Sequence, residues 1–378
     1  MDYYSVVIYI STFFFSVLLF SISNRLFFEK RKKERILWGY VILSVGILIP
    51  CLLAAFRDVS VGQDVAGYVL PNFDYSTGLT EKGFFYFYEN MPFPTEIGFA
   101  FILYIGIINR SIGLSFFIMQ LMTILPVYMT LAKFKNVMSV PLGMATYFFL
   151  NYNFSLSGMR GSIAMSILLL MSYYMYKGKH FIAILLSGIA FLFHDSAIIL
   201  AFLFYLIYYN VKRGFNRRFM FIILVIGMSI LAFWNEILQI LFFMLSNLNA
   251  RYLYYLQKDA DFEGVFMTDF LSKLSLIAVV YFLLKKRTKL LLNKYLFVMC
   301  VIGRVLLLLN TRISEFSRIA NYFDMYLILY SAVVYSTVKK QLENKFASYT
   351  IVLMPSFLYW LYFIMKVGAY DTNIYRFR

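Results

Sequence analysis

Apolar stretches long enough to cross a bilayer, about 20 residues each, recur along this 378-residue chain. A soluble domain carries no such pattern. Here 62% of residues are hydrophobic, 14% are charged and the mean hydropathy is +0.74, which excludes an ordinary globular enzyme and points to an all-α, polytopic membrane protein. No linker or repeat divides it, so residues 1–378 read as one transmembrane domain. The net charge of +16 invites a nucleic-acid reading. The Lys and Arg residues sit instead in short clusters between apolar segments, as in cytoplasmic loops, so the charge reports topology and no nucleic-acid partner is expected. Cys51 and Cys300 lie inside apolar segments without metal-ligand spacing and are expected to be core.

The first apolar run has no basic segment ahead of it and no small-residue cleavage site after Phe20, so it reads as a retained helix. The run Arg25 to Arg35 carries six basic and two acidic residues, which places it in the cytoplasm and the N-terminus outside. Helices at 4–23 and 36–55 follow, and then an outer loop, 56–96. From Arg57 to Glu96 it holds six acidic residues against two basic ones, with Pro71, Pro92, Pro94 and many aromatics, a composition suited to an ordered cap at the membrane surface.

Placing the later basic clusters in the cytoplasm (Lys133/Lys135, Lys177/Lys179, Lys212–Arg218, Lys285–Lys289, Lys339/Lys340) predicts ten further spans. They fall near 112–132, 137–152, 161–176, 181–194, 196–211, 219–238, 268–284, 294–309, 319–338 and 348–366, making about twelve in all, with a second outer loop at 239–268. Ile97–Ile108 is too short to cross and reads as a half-helix. The stretch from His180 to Val211 is too long for one helix and short for two, so a break is predicted at His194-Asp195-Ser196, where a cavity can satisfy the freed backbone groups.

On this topology Arg57, Asp64, Glu96, Arg160, His194, Arg312 and Arg318 all fall at outer ends of apolar segments. Hydrocarbon solvates charge poorly, so ionisable side chains there face a cavity, pair with one another or mark a functional site. Each also has a structural reading. The spacing of three among Arg312, Glu315 and Arg318 gives intrahelical ion pairs, His194 can cap a broken helix, Asp195 is expected to cap the next one, and Glu96 can merely begin the half-helix. Arg57 and Arg160 adjoin apolar sequence with no local partner.

Chemically, the planar arginine fork matches phosphate oxygens bidentately, so Arg57, Arg160, Arg312 and Arg318 are the candidates for binding an anionic, diphosphate-like group. His194, Asp64 and Glu96 are the candidates for a general base that takes a proton from an attacking hydroxyl. Cations that neutralise a departing diphosphate, together with one base, suffice for group transfer from a phosphate-linked donor.

The motifs resemble those of the EpsG family of Wzy-type polysaccharide polymerases. They run as Phe56-Arg57 with Gly62-Gln63-Asp64 and Tyr68, then Glu96-Ile97-Gly98, Ser157-Gly158-Met159-Arg160-Gly161-Ser162-Ile163-Ala164, Phe193-His194-Asp195-Ser196-Ala197, and Arg318-Ile319-Ala320-Asn321-Tyr322-Phe323. Gly161 departs from the pattern, since relatives often carry Gln there. The resemblance implies a GT-C-like glycosyltransferase of the bacterial cytoplasmic membrane, acting at its outer face. Such an enzyme joins undecaprenyl-pyrophosphate-linked oligosaccharide repeat units, as donor and acceptor, into O-antigen, capsule or exopolysaccharide. It implies no cofactor, neither nucleotide sugar nor metal, and among proteins a partner that regulates chain length.

Two other classes share some of these features. A flippase of lipid-linked oligosaccharide also has about twelve helices and cavity arginines, but alternating access places its site near the midplane, whereas these charges gather at one face. A membrane O-acyltransferase using His194 is the third reading.

Overall fold

The computed structural model describes residues 2–28, 33–76, 78–214, 265–284, 290–309, 315–335 and 345–378. Among these the regular structure is helical, with one isolated antiparallel bridge between Arg57 and Phe377. Arg312, the expected span at 219–238 and most of the outer loop 239–268 lie outside the described residues.

Helices α1 (Tyr3–Phe28) and α2 (Lys33–Ala55) form an antiparallel hairpin. The segment after α2 is a string of short pieces: a π-helical turn Val65–Val69, α3 (Leu70–Tyr75), a 3₁₀ turn Thr80–Lys82 and α4 (Phe84–Asn90). Then come α5 (Ile97–Ile108) and α6 (Ile112–Lys133), the latter opened by Ser111, whose hydroxyl accepts the Leu114 N–H. The half-helix expected at Ile97–Ile108 is there with those bounds.

Next, α7 (Val140–Tyr147), a π-helical segment Phe148–Tyr152 and α8 (Asn153–Ser157) make one interrupted helix. After Gly158 follow α9 (Met159–Tyr176), α10 (His180–Phe191) and α11 (Ala197–Lys212). The last described helices are α12 (Val265–Leu283), α13 (Leu291–Leu309), α14 (Glu315–Ala332) and α15 (Lys345–Tyr359), which runs into a second π-helical segment, Trp360–Lys366.

Five stretches are long and apolar enough to cross a membrane: Tyr3–Phe27, Glu34–Ala55, Ile112–Lys133, Leu291–Leu308 and Ala347–Lys366. The number of spans so identified among the described residues is therefore smaller than the twelve expected. α5, α10 and α11 are apolar but short, and the helix expected at 137–152 extends to Ser157 through its π-helical break. A second boundary also moves: α14 begins at Glu315, so Arg318 belongs to a helix and not to the connection before it.

The polarity of the bundle follows from which residues meet. At one end, the basic clusters converge: Lys133 lies over the Tyr173 and Tyr174 rings, Lys177 over Tyr176, and Lys212 over Tyr208, whose hydroxyl donates to the Tyr176 carbonyl. At the other end, the start of α1, the end of α2 and the C-terminal tail meet. Tyr9 donates to the Thr372 carbonyl at 2.9 Å, the Tyr375 hydroxyl donates to the Leu53 carbonyl at 2.6 Å, and the Arg378 N–H reaches the Phe56 carbonyl at 2.9 Å. Lys and Arg concentrated at one end match the charge bias that fixes membrane orientation.

α5 does not run to the basic end. The Gly98 N–H donates to the Leu192 carbonyl at 2.8 Å, and Ser115 in the first turn of α6 donates to the Ile102 carbonyl. The core beneath the tail is aromatic, with Phe13 stacked on Phe148 at 5.0 Å, Tyr152 and Trp360 edge-on to Phe13, and Tyr9 edge-on to Trp360. Trp360 donates to Asn153, and Asn153 to Thr372, so the two π-helical segments and the tail share one buried polar chain.

Candidate functional site

Four helix N-termini converge at the end opposite the basic clusters, and each carries one of the candidate residues. Glu96 is the N-cap of α5, but its side chain makes no capping bond. It reaches instead to Arg160, the second residue of α9, at 2.8 Å. Arg160, which has no local partner in the sequence, thus acquires one 64 positions away, and the pair is partly buried, with side-chain exposures of 23% for Arg160 and 12% for Glu96.

The opposite flank of Arg160 is covered by Tyr68, its guanidinium carbon standing 4.6 Å from the ring centroid. Tyr68 in turn donates to Asp64 at 3.0 Å. That bond spans one turn, because Asp64 caps the π-helical turn on which Tyr68 sits. Desolvation raises the Asp64 pKa above the usual carboxylate value, against the opposing pull of the Tyr68 hydrogen bond and the charges of Arg160 and Arg318.

His194 lies in the tight connection between α10 and α11, half-buried, its Nδ1 at 2.7 Å from Ser196 Oγ. Ser196 is the N-cap of α11 and also reaches the Tyr322 hydroxyl at 3.5 Å, while the Tyr322 ring packs edge-on against the imidazole. Burial lowers the His194 pKa, and the charges of Arg160 and Arg318 lower it further, outside what Glu96 and Asp195 restore. The imidazole is therefore neutral near pH 7. When Ser196 accepts the Nδ1 proton, Nε2 is left as a free acceptor.

Arg318 and Tyr322 lie one turn apart at the start of α14, so they share a helix face. Asp195 is exposed, and the N-cap position of α11 is held by its neighbour Ser196, whose side chain makes no capping bond. The expectation that Asp195 caps that helix is corrected accordingly.

Two glycines allow this closeness. Gly62 has φ +103°, and a Cβ there would sit 2.6 Å from the Leu156 carbonyl oxygen. Gly98 carries no strain, but its Cβ would sit 2.7 Å from the Leu192 carbonyl oxygen and 3.1 Å from the Phe193 ring, pushing α5 off the turn that holds His194.

Arg57 is not brought into this group. It is 1% exposed, its guanidinium donates to the Leu156 carbonyl and to Met159 Sδ, and it packs 4.1 Å from the centroid of the Phe116 ring. Burial without a carboxylate partner brings its pKa down to about 10. Its position, on the chain that bridges to Phe377, makes it a pin between the tail, α6 and the start of α9. Of the seven candidates, Asp64, Glu96, Arg160, His194 and Arg318 come together, Arg57 lies behind them, and Arg312 is outside the described residues.

A second charge cluster was not singled out from the sequence. Asp269 and Lys273 of α12, Arg304 of α13 and Asp324 of α14 are 3–7% exposed. Lys273 Nζ is 2.6 Å from Asp269 and 2.8 Å from Asp324, and Arg304 bonds both carboxylates. The available signal was one ionisable residue after another inside apolar helices. Gly303 and Phe323 meet beside it, where a Cβ on Gly303 would come within 2.8 Å of Phe323 Cβ. Among the described residues, no group of three His, Cys, Asp or Glu side chains is placed to hold a metal ion.

The model of the EpsG family matches residues 40–377. No curated protein and no solved structure matches the chain. The matched region includes Asp64, Glu96, Arg160, His194 and Arg318, and on that extent of match the chain belongs to the EpsG family, whose members are Wzy-type polymerases.

Proposed function

We propose that the protein is a polysaccharide polymerase that joins undecaprenyl-pyrophosphate-linked oligosaccharide repeat units into a surface polysaccharide at the outer face of the bacterial cytoplasmic membrane. Family membership supports the reaction class. The observation that carries the site assignment is the meeting of helix N-termini around Glu96, Arg160, His194 and Arg318. Helix N-termini and arginines both favour an anion, so the donor's diphosphate belongs here.

In the proposed step the hydroxyl oxygen of the acceptor's terminal sugar attacks the anomeric carbon of the donor glycan. A new glycosidic C–O bond forms as the anomeric carbon–diphosphate bond breaks, and undecaprenyl diphosphate leaves with the bonding electrons. Arg160 and Arg318 stabilise its developing charge. Glu96 and Tyr68 hold the Arg160 fork from two sides so that it need not reorganise as the charge forms. His194 accepts the hydroxyl proton through Nε2, with Ser196 and Tyr322 fixing the ring. Asp64 and Glu96 are the alternative bases, and the raised Asp64 pKa brings that carboxylate nearer the working range of a base.

The site lies at one end of the bundle and not at its midplane, which favours transfer over the alternating access of a flippase. The test is purified protein in sealed proteoliposomes carrying lipid-linked repeat unit, analysed by gel for product length and by an impermeant reagent for the side on which the repeat unit lies. A ladder of lengths with release of undecaprenyl diphosphate is expected. Unchanged substrate redistributed across the membrane would identify a flippase, and an acylated monomer an acyltransferase.

A further inference from the structure

Arg160 stands at the start of α9, and that start has no side-chain cap. Gly158 is at once the C-cap of α8 and the N-cap of α9, with φ −75° and ψ 56°. Helix ends leave backbone groups without intrahelical partners, so other elements must fix such a break. Arg57 spans it. Its Nη1 donates to the carbonyl of Leu156, the penultimate residue of α8, and its Nη2 reaches Sδ of Met159, the first residue of α9, at 3.2 Å. A cation beside the last carbonyls of a helix is favoured by their partial negative charge. The residue after Met159 is Arg160.

The backbone on either side of Arg57 is itself held by the C-terminal tail. The Asp58 N–H donates to the Arg376 carbonyl at 2.8 Å, and the Arg378 N–H to the Phe56 carbonyl at 2.9 Å. Further along, the Gly62 N–H donates to the Asp371 carbonyl at 2.9 Å. With the Phe116 ring of α6 packed 4.1 Å from the guanidinium carbon, the side chain is 1% exposed and has one place to go. A shift of its fork is therefore passed to the start of α9.

We infer that Arg57 is a positioning residue that sets the start of α9 so that the Arg160 fork meets Glu96 and the donor diphosphate together, a role that rests on the assignment of Arg160 to that diphosphate. Glu96 and Tyr68 hold the far end of the Arg160 side chain, through the 2.8 Å ion pair and the ring 4.6 Å from its guanidinium carbon. Arg57 holds the near end, through the backbone. Anchoring at both ends matters because misplacement of a reacting group by about 1 Å costs about 100-fold in rate. Arginine suits position 57 because the two acceptors lie on the two sides of the break, and a lysine ammonium is a point donor without the fork. A residue that only held the fold would cost folded protein and not turnover per folded molecule, and its cost would not depend on the residue at 160.

The test is a double-mutant cycle in the full-length protein, with Arg57→Lys, Arg57→Gln, Arg160→Gln and the two combinations. Two quantities are read per folded molecule: turnover of lipid-linked repeat unit in proteoliposomes, and affinity for undecaprenyl diphosphate from the shift of the thermal unfolding midpoint in detergent. With Arg160 present, Arg57→Lys is expected to lower turnover about 10- to 100-fold and affinity about tenfold, and Arg57→Gln no less. The Lys variant keeps the buried charge and so decides the matter even where the Gln variant does not fold. With Arg160→Gln in place, neither change at position 57 is expected to move either quantity more than about twofold. A wild type that binds undecaprenyl diphosphate but builds no ladder would remove the polymerase reading, and the affinity cycle alone would then decide the role of Arg57. Losses of equal size with and without Arg160, wild-type turnover and affinity in Arg57→Lys, or no binding of undecaprenyl diphosphate by the wild type would each overturn the assignment.

Discussion

Two groups of ionised side chains lie in the same part of the bundle and are built on opposite plans. Around Asp269, Lys273, Arg304 and Asp324 two cations face two carboxylates, every charge has two opposite partners, and exposure is 3–7%. Around Glu96 and Arg160 the ion pair is partly exposed, with the His194 imidazole and Arg318 beside it and the starts of α11 and α14 close by. The two are joined by α14, where Arg318 and Asp324 are about 9 Å apart along the axis. The quartet's charges are buried and balanced against one another, whereas the group around Arg160 is partly open to its surroundings. On the proposed function, the difference separates charge that holds helices together from charge that meets a substrate.

The largest effect is expected from unbalancing the quartet. Asp324→Ala leaves a buried cation short of compensation, which costs about 3–5 kcal/mol. Folded protein in the membrane should fall to a small fraction of wild type, as read by fluorescence-detected size exclusion, and abundance near wild type would show that the quartet is not needed for folding. In the open group the damage should be to rate and not to abundance. His194→Gln is expected to lower polymerisation about 100- to 10,000-fold if His194 is the base. A variant that keeps more than about a tenth of the rate, the loss expected for a single neutral hydrogen bond, would leave the carboxylates Asp64 and Glu96 as the candidates.

Arg160→Ala is expected to lower turnover about 100- to 1,000-fold, and Arg160→Lys to recover little of it, because an ammonium cannot reproduce the fork that binds Glu96 and a phosphate together. Full activity of the Lys variant would contradict bidentate recognition. The smallest effect is a shift in pH dependence. Burial and the Arg160 and Arg318 charges hold the His194 pKa below its ordinary value of about 6.5, so the neutral base persists until the pH falls through that lowered value. Arg318→Gln removes one depressing charge and should move the acid limb of the rate to higher pH. Glu96→Gln removes a charge that favours the imidazolium and should move it lower. Limbs that stay fixed in both would show that His194 is not the titrating group.

The same contrast shows what was legible in the sequence. Asp64 with Tyr68, Glu96, Arg160, His194 and Arg318 stood out because each is polar at the edge of an apolar run, and a short ordered motif surrounds each. Their contacts were not legible. Glu96 and Arg160 meet through the packing of α5 against the turn before α11, which depends on close approach at Gly98. Arg57 carried the same signal as Arg160 but is turned inward by its bridge to the C-terminal tail, a partner more than 300 residues away that no local pattern announces. The quartet was half visible, since Asp269 and Lys273 are four apart on one helix, yet its closure needs the rotations of α13 and α14. The short helices α10 and α11 explain why a stretch too short for two full spans still folds as a hairpin with His194 at its tip.

The division between the two clusters is tested most directly by removing one ion pair from each and measuring polymer formed per folded molecule. Asp269→Leu with Lys273→Met takes a neutral pair from the quartet and leaves Arg304 bonded to Asp324. Glu96→Gln with Arg160→Gln takes a neutral pair from the open group, and the net charge of the protein is unchanged in both. Turnover within about tenfold of wild type is expected for the first variant and a loss greater than about 100-fold for the second. Equal losses, or a larger loss in the quartet variant, would contradict the assignment of the reaction to the group around Glu96 and Arg160.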